Sequence, residues 1–220
     1  NFEQALIDLG YDTAPINGSV PTVNISSVSF LDVNNRNVAD LTGIEGFNTL
    51  TTLYCYGNQL TSLDVSNNTE LNILDCQSNQ LTSLDFNGAN ALTSLSCSFN
   101  QLTSLDFNGA NALTTLSCSF NQLTSLDFNG ANALTTLSCS FNQLTSLDVS
   151  NNNALASCLF GDNQLTSLDL SNNTALTFLF CNRNQLTNLD IRNGNNEALF
   201  KFFAGENPNL TCIYVDNADY

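Results

Sequence analysis

"LTTLSCSFNQLTSLDFNGANA", Leu113 to Ala133, is followed at Leu134 by "LTTLSCSFNQLTSLD", the same letters again. At Leu92 it is preceded by "LTSLSCSFNQLTSLDFNGANA", which differs only in Ser94. A fixed internal period decides a fold before local propensity does. Here the period is 21, with units opening at Leu50, Leu71, Leu92, Leu113, Leu134, Leu155 and Leu176. With the opening Leu as position 0, apolar residues fall at 0, 3, 5, 10, 13 and 15. Position 8 is always Asn: Asn58, Asn79, Asn100, Asn121, Asn142, Asn163 and Asn184. Positions 3 and 5 alternate with polar 2, 4 and 6, the mark of a strand with one buried face.

One unit is too small to bury its own apolar side, so neighbours must stack. Stacked strands pair in parallel about 4.8 Å apart, and every column becomes a ladder. The Asn ladder is expected inside the turn after the strand, serving backbone groups that would otherwise be buried unpaired. The second half, "LTSLDFNGANA", lacks helical periodicity and reads as extended chain and turn, with Gly88, Gly109 and Gly130 available for positive φ. The predicted architecture is a leucine-rich-repeat right-handed solenoid, nearly all β, with a parallel sheet on its concave face and little helix. The ends depart from the repeat, as caps must. Residues 1–27 read as an N-terminal cap with a short helix in "NFEQALIDLGYD". Residues 28–198 hold one 22-residue unit, with Arg36 in the Asn column, and seven units of about 21. Residues 199–220 read as a C-terminal cap.

"LTTLSCSFNQLTSLD" and the entry stretch "NVADLTGIEGFNTLTTLYC" resemble bacterial 21-residue leucine-rich repeats, in particular the internalins that carry a cysteine ladder. The resemblance covers about Val28 to Ala198. It implies a secreted or surface-exposed bacterial protein that binds a partner.

Six cysteines, Cys55, Cys76, Cys97, Cys118, Cys139 and Cys181, occupy inward position 5; Cys158 sits at inward position 3 and Cys212 in the cap. In-register neighbours about 4.8 Å apart exceed the Cβ separation of about 3.5–4.5 Å that a disulfide prefers. Buried thiols act as small inert hydrophobes, so all eight are expected to be reduced. No CxxC pair and no His points to a metal.

Position 14 is an Asp ladder: Asp64, Asp85, Asp106, Asp127, Asp148, Asp169 and Asp190. The structural reading is that each carboxylate caps its following turn. Weak calcium attraction by Asp85, Asp106, Asp127 and Asp148 is the rival, without the converging oxygens of a dedicated loop. Positions 2, 4 and 6 are predicted to face the concave side, with position 7 at its rim. That places Tyr54, Tyr56, Phe178, Phe180 and Phe203 toward the ends of the face. Its middle is a hydroxyl floor of Ser94, Ser96, Ser98, Thr115, Ser117, Ser119, Thr136, Ser138 and Ser140. Phe99, Phe120 and Phe141 edge it, either as an exposed contact row or as a satellite core under the following loop. Positions 11 and 12 repeat "TS" (Thr103 and Ser104, for example), similar to hydroxyl arrays of ice-binding solenoids, but the favoured reading is a solvated strand-like edge that does not bind ice.

The chain of 220 residues has 4 Lys+Arg against 20 Asp+Glu and a net charge of −16. Nucleic acid is a poor partner for such a chain, because phosphate contacts need clustered cations. No apolar run reaches the roughly 20 residues of a spanning helix. With no His, no activated nucleophile and no phosphate loop, an enzyme is not expected, nor is a cofactor. The expected function is a monomeric, adhesin-like binding module that recognises a protein or neutral glycan. The binding set is Tyr54, Tyr56, Ser96, Phe99, Ser117, Phe120, Ser138, Phe141, Phe178, Phe180 and Phe203. A structural spacer, or an ice or mineral binder using the Thr/Ser or Asp ladders, is the alternative.

Overall fold

The computed structural model describes residues 2–217. Nine three-residue strands form one parallel sheet, running in chain order from Phe30–Asp32 to Lys201–Phe203. Every repeat supplies positions 2 to 4, as in Thr115–Ser117 and Thr136–Ser138. Register follows the letters: Leu95 pairs with Leu116 and Leu116 with Leu137. A second line of strands forms at positions 12 to 14, where Ser62–Asp64 pairs Ser83–Asp85 and Ser167–Asp169 pairs Asn188–Asp190. Alternation drives it: Leu63 is buried between exposed Ser62 and Asp64, and Leu168 between exposed Ser167 and Asp169.

Between these lines run the buried Leu columns, and Leu92, Leu95, Leu102, Leu113, Leu116 and Leu123 are fully inaccessible. Among the described residues α-helix is confined to the first cap, at Phe2–Asp8 and Thr22–Ile25, where Phe2 meets Phe47 at 6.2 Å, and single 3-10 turns lie at Ile44–Gly46 and Asn196–Ala198. At the far end Ile213–Tyr214 adds an edge strand beside Asn188–Asp190.

The Asn ladder stitches neighbouring coils. Asn121 Nδ2 donates to the carbonyls of Cys97 and Cys118, both at 3.1 Å, and its Oδ1 accepts the Leu102 N–H at 2.9 Å. Asn100 and Asn142 repeat the pattern one coil either way. Asn207, beyond the regular period, is an eighth member, accepting from the Leu186 N–H at 3.1 Å. A second buried Asn series lies on the opposite side: Asn68 donates to the Ile44 carbonyl, Asn152 to Ala131, and Asn173 to Val149 and Asn152.

Seven cysteines line the core as free thiols, and Cys212 alone is exposed. In the Cys158 coil the position-5 column is filled instead by buried Phe160. Burial pushes the Cys55, Cys76, Cys97, Cys118, Cys139 and Cys158 thiols far up, and Cys181 up to about 12. A thiol held protonated is a poor nucleophile. Native protein treated with a thiol reagent should therefore label rapidly at Cys212 only, and unfolding without reductant should release the seven others. Rapid native labelling of a ladder cysteine, or fewer than eight thiols after unfolding, contradicts the inert ladder.

Candidate functional site

The turn after each strand sets the exposed columns. Position 7 is left-handed in every coil: φ is 57° at Phe99, 55° at Phe120, 55° at Phe141, 54° at Asp162 and 53° at Arg183. The bend turns the following Asn inward while keeping the inter-coil ladder, since the Phe99 N–H donates to Ser119 and the Asn100 N–H to Phe120. Gly57 meets this demand without strain in an early coil, and a Cβ there would lie 2.2 Å from Asn35 Oδ1. A bulky residue in this region is an outlier costing on the order of 1–2 kcal/mol.

The three phenylalanines nonetheless project outward, 51%, 39% and 41% exposed. They stack on one another, with centroids 4.2 Å and 4.1 Å apart and planes within 10° and 11° of parallel. This settles the choice between an exposed row and a satellite core: the row is exposed. Beyond it, column 7 continues as charges, with Arg183 between Asp162 at 3.6 Å and Glu206 at 3.0 Å.

The remaining residues of the predicted set fall into three groups. Ser96, Ser117 and Ser138 are register partners in the middle of the sheet and half-buried. Tyr54 packs edge-on against Phe30 at 5.6 Å, and Tyr56 is exposed nearby in the sequence. Phe178 stacks on Phe180 at 4.5 Å, and Phe180 meets Phe203 edge-on at 4.6 Å. The hydroxyl floor needs one correction. Ser98 and Ser119 at position 6 are buried, because the chain is already turning into the left-handed bend. The Ser119 N–H donates to Ser98 Oγ at 3.1 Å, and the Ser119 and Ser138 hydroxyls pair at 2.8 Å.

The sequence reading missed exposed Phe30, Phe200 and Phe202. Phe202 pairs with Leu179 in the inward Leu column but is exposed, because among the described residues its strand is the last of the nine-stranded sheet.

Each ladder carboxylate is committed to its own turn. Asp64, Asp85, Asp106, Asp127, Asp148, Asp169 and Asp190 all accept the backbone N–H two residues on, at 2.9 to 3.0 Å. These bonds favour the charged form, and Asp64, Asp106 and Asp148 titrate below the usual carboxylate range through contacts to Ser66, Asn108 and Ser150. No group of three or more metal-ligating side chains converges among the described residues. A cleft of about 890 Å³ lies under the first cap, walled by Phe2, Leu6, Val20, Ile25 and Phe47. No helix among the described residues is long and apolar enough to cross a membrane.

No protein-family profile matches the chain, and no curated protein matches it. Solved structures do. The functional domain of internalin J from Listeria monocytogenes, which includes a cysteine ladder, is 33% identical with a TM-score of 0.61, over 89% of this chain and 55% of that one. A leucine-rich-repeat protein of Leptospira interrogans is 22% identical with a TM-score of 0.74, over 86% and 55%. The leucine-rich effector YopM of Yersinia pestis is 24% identical with a TM-score of 0.72, over 86% and 56%. The last two show the fold alone, and the chain spans about half the length of each of the three. The chain is a leucine-rich-repeat solenoid of the bacterial 21-residue type with a cysteine ladder, and it resembles internalin J.

Proposed function

We propose that the chain is a non-enzymatic, secreted or surface-exposed binding module. Its partner is a protein, docked on the face of the nine-stranded sheet and anchored at Phe99, Phe120 and Phe141. One observation carries this reading. Three large apolar side chains occupy strained backbone positions and are left exposed, an arrangement that costs stability. Strain of this kind collects at functional sites, and buried aromatics supply much of an interface's energy.

A protein is favoured over a neutral glycan because the rings stack on each other. Both faces of Phe120 are taken by Phe99 and Phe141, so a sugar finds ring edges rather than the open face it would stack on. The half-buried serines and the aromatic clusters around Tyr54 and Phe180 then serve as flanking contacts. The internalin and effector relatives are consistent with a binding role.

Probing a protein array with the wild type and with the triple variant Phe99→Ala, Phe120→Ala, Phe141→Ala tests it. The variant should fold, and binding to the proteins the wild type recognises should weaken more than about tenfold, about 1.4 kcal/mol. Unchanged binding, or collapse of the fold, refutes the site.

A further inference from the structure

We propose that Asn108 and Asn129 are self-modification sites, where the side-chain amide is lost to the neighbouring backbone faster than at the other Asn-Gly pairs in the chain. There are five such pairs: Asn17–Gly18, Asn87–Gly88, Asn108–Gly109, Asn129–Gly130 and Asn193–Gly194. The chemistry needs no cofactor. The glycine N–H gives its proton to hydroxide, and the nitrogen attacks the asparagine Cγ. Ammonia leaves as a five-membered succinimide closes. Water then opens either ring carbonyl, giving aspartate or isoaspartate. One water is consumed, one ammonia is released, and nothing is oxidised or reduced. A following glycine places no side chain in the way, so the dipeptide alone predicts five equal sites.

The structure separates them. At Asn17 and Asn193 both reacting groups are held. The Gly18 N–H donates to Glu3 Oε2 at 2.9 Å, and the Gly194 N–H donates to Asp216 Oδ1 at 2.9 Å. A carboxylate on that N–H opposes its deprotonation, because it would face a second negative charge. The Asn17 side-chain oxygen is tied to Ser19, and the Asn193 amide is buried against Asn173, Asn195 and Asn196.

The three repeat copies differ. The N–H groups of Gly88, Gly109 and Gly130 donate no backbone or side-chain hydrogen bond among the described residues. Asn87 is partly buried, with Nδ2 on Asp106 Oδ2 at 3.2 Å. Asn129 is exposed, with Nδ2 on Asp127 Oδ2 at 3.1 Å. Asn108 is likewise exposed, with its side chain on Asp106, which it helps to keep acidic. These two exposed side chains, each held by the carboxylate of its own turn, are the freest to swing Cγ onto the next nitrogen.

Each conversion adds a negative charge beside the Asp ladder. The test is to age the purified protein at mildly alkaline pH, with and without denaturing urea, and to map aspartate and isoaspartate by peptide mass spectrometry. In native buffer Asn108 and Asn129 should lead, Asn87 follow, and Asn17 and Asn193 lag them several-fold. In urea the five should converge. Asn108→Ser combined with Asn129→Ser, with the residue found at the same turn position in Ser66, Ser150 and Ser171, should remove the first acidic species on anion exchange. A native order not led by Asn108 and Asn129, or the same order in urea, overturns the proposal.

Discussion

Asn121→Ala should destabilise the fold by about 1–3 kcal/mol, read as a lower urea midpoint at unchanged slope. The side chain bonds three main-chain groups in two coils, and it alone serves the Leu102 N–H; the Cys97 and Cys118 carbonyls each keep a second amide donor, Asn100 and Asn142. Alanine reaches none of them, which leaves the Leu102 N–H unpaired and removes one of two donors from each carbonyl. One orphaned buried group costs about 1–3 kcal/mol, against a total stability of about 5–15 kcal/mol for a domain. Its neighbour Gln122 is exposed, so Gln122→Ala should stay within about 0.5 kcal/mol. A loss below about 1 kcal/mol for Asn121→Ala means the ladder does not hold the coils together.

Cys118→Asp has an effect of similar size but with a pH signature. Cys118 is inaccessible and lies between Cys97 and Cys139. A carboxyl placed there is desolvated and without a cation, so its folded-state pKa rises above the unfolded value of about 3.9. The unfolded chain then releases a proton that the folded chain keeps. The penalty from ionisation is absent below the unfolded pKa. It grows by about 1.4 kcal/mol per pH unit above that, until the folded pKa is reached. Between about pH 5 and pH 7 the variant should lose about 2.7 kcal/mol relative to wild type. Cys118→Ser should show no such slope. Both values lie above the isoelectric point of about 4.1, where net charge keeps the chain soluble. A pH-independent loss for Cys118→Asp means that the site is wetter or more open than a sealed column.

Columns whose partners repeat with the period were legible in the letters. Leu95, Leu116 and Leu137 pair as counted, the Asn ladder closes its turns, and the Asp ladder caps the turns after it. Features set by backbone conformation were not. Nothing in "CSFN" announces that Phe is forced to positive φ, since the same position also holds Ser78, Asp162 and Arg183. That bend decides that Phe99 points out and Ser98 in, against the simple alternation carried past position 5. Asn207 escaped because the insertion before Leu199 shifts the count. Asn68, Asn152 and Asn173 escaped because Ala89, Ala110 and Ala131 take the same place in the copied coils, which masks the column.

The stacked phenylalanines come one from each of three almost identical coils. Duplicating or deleting a whole coil keeps strand register, Asn bridges and core columns intact, because each joint between these coils is made of the same contacts. Such an event does alter the outer row, by one ring and about 4.8 Å of axis. Recombination between the near-identical segments that encode Leu92 to Ala133 thus works as a length dial for the contact strip. Reach along a partner can be changed in whole steps by copy number, with no point substitution and no new packing problem to solve.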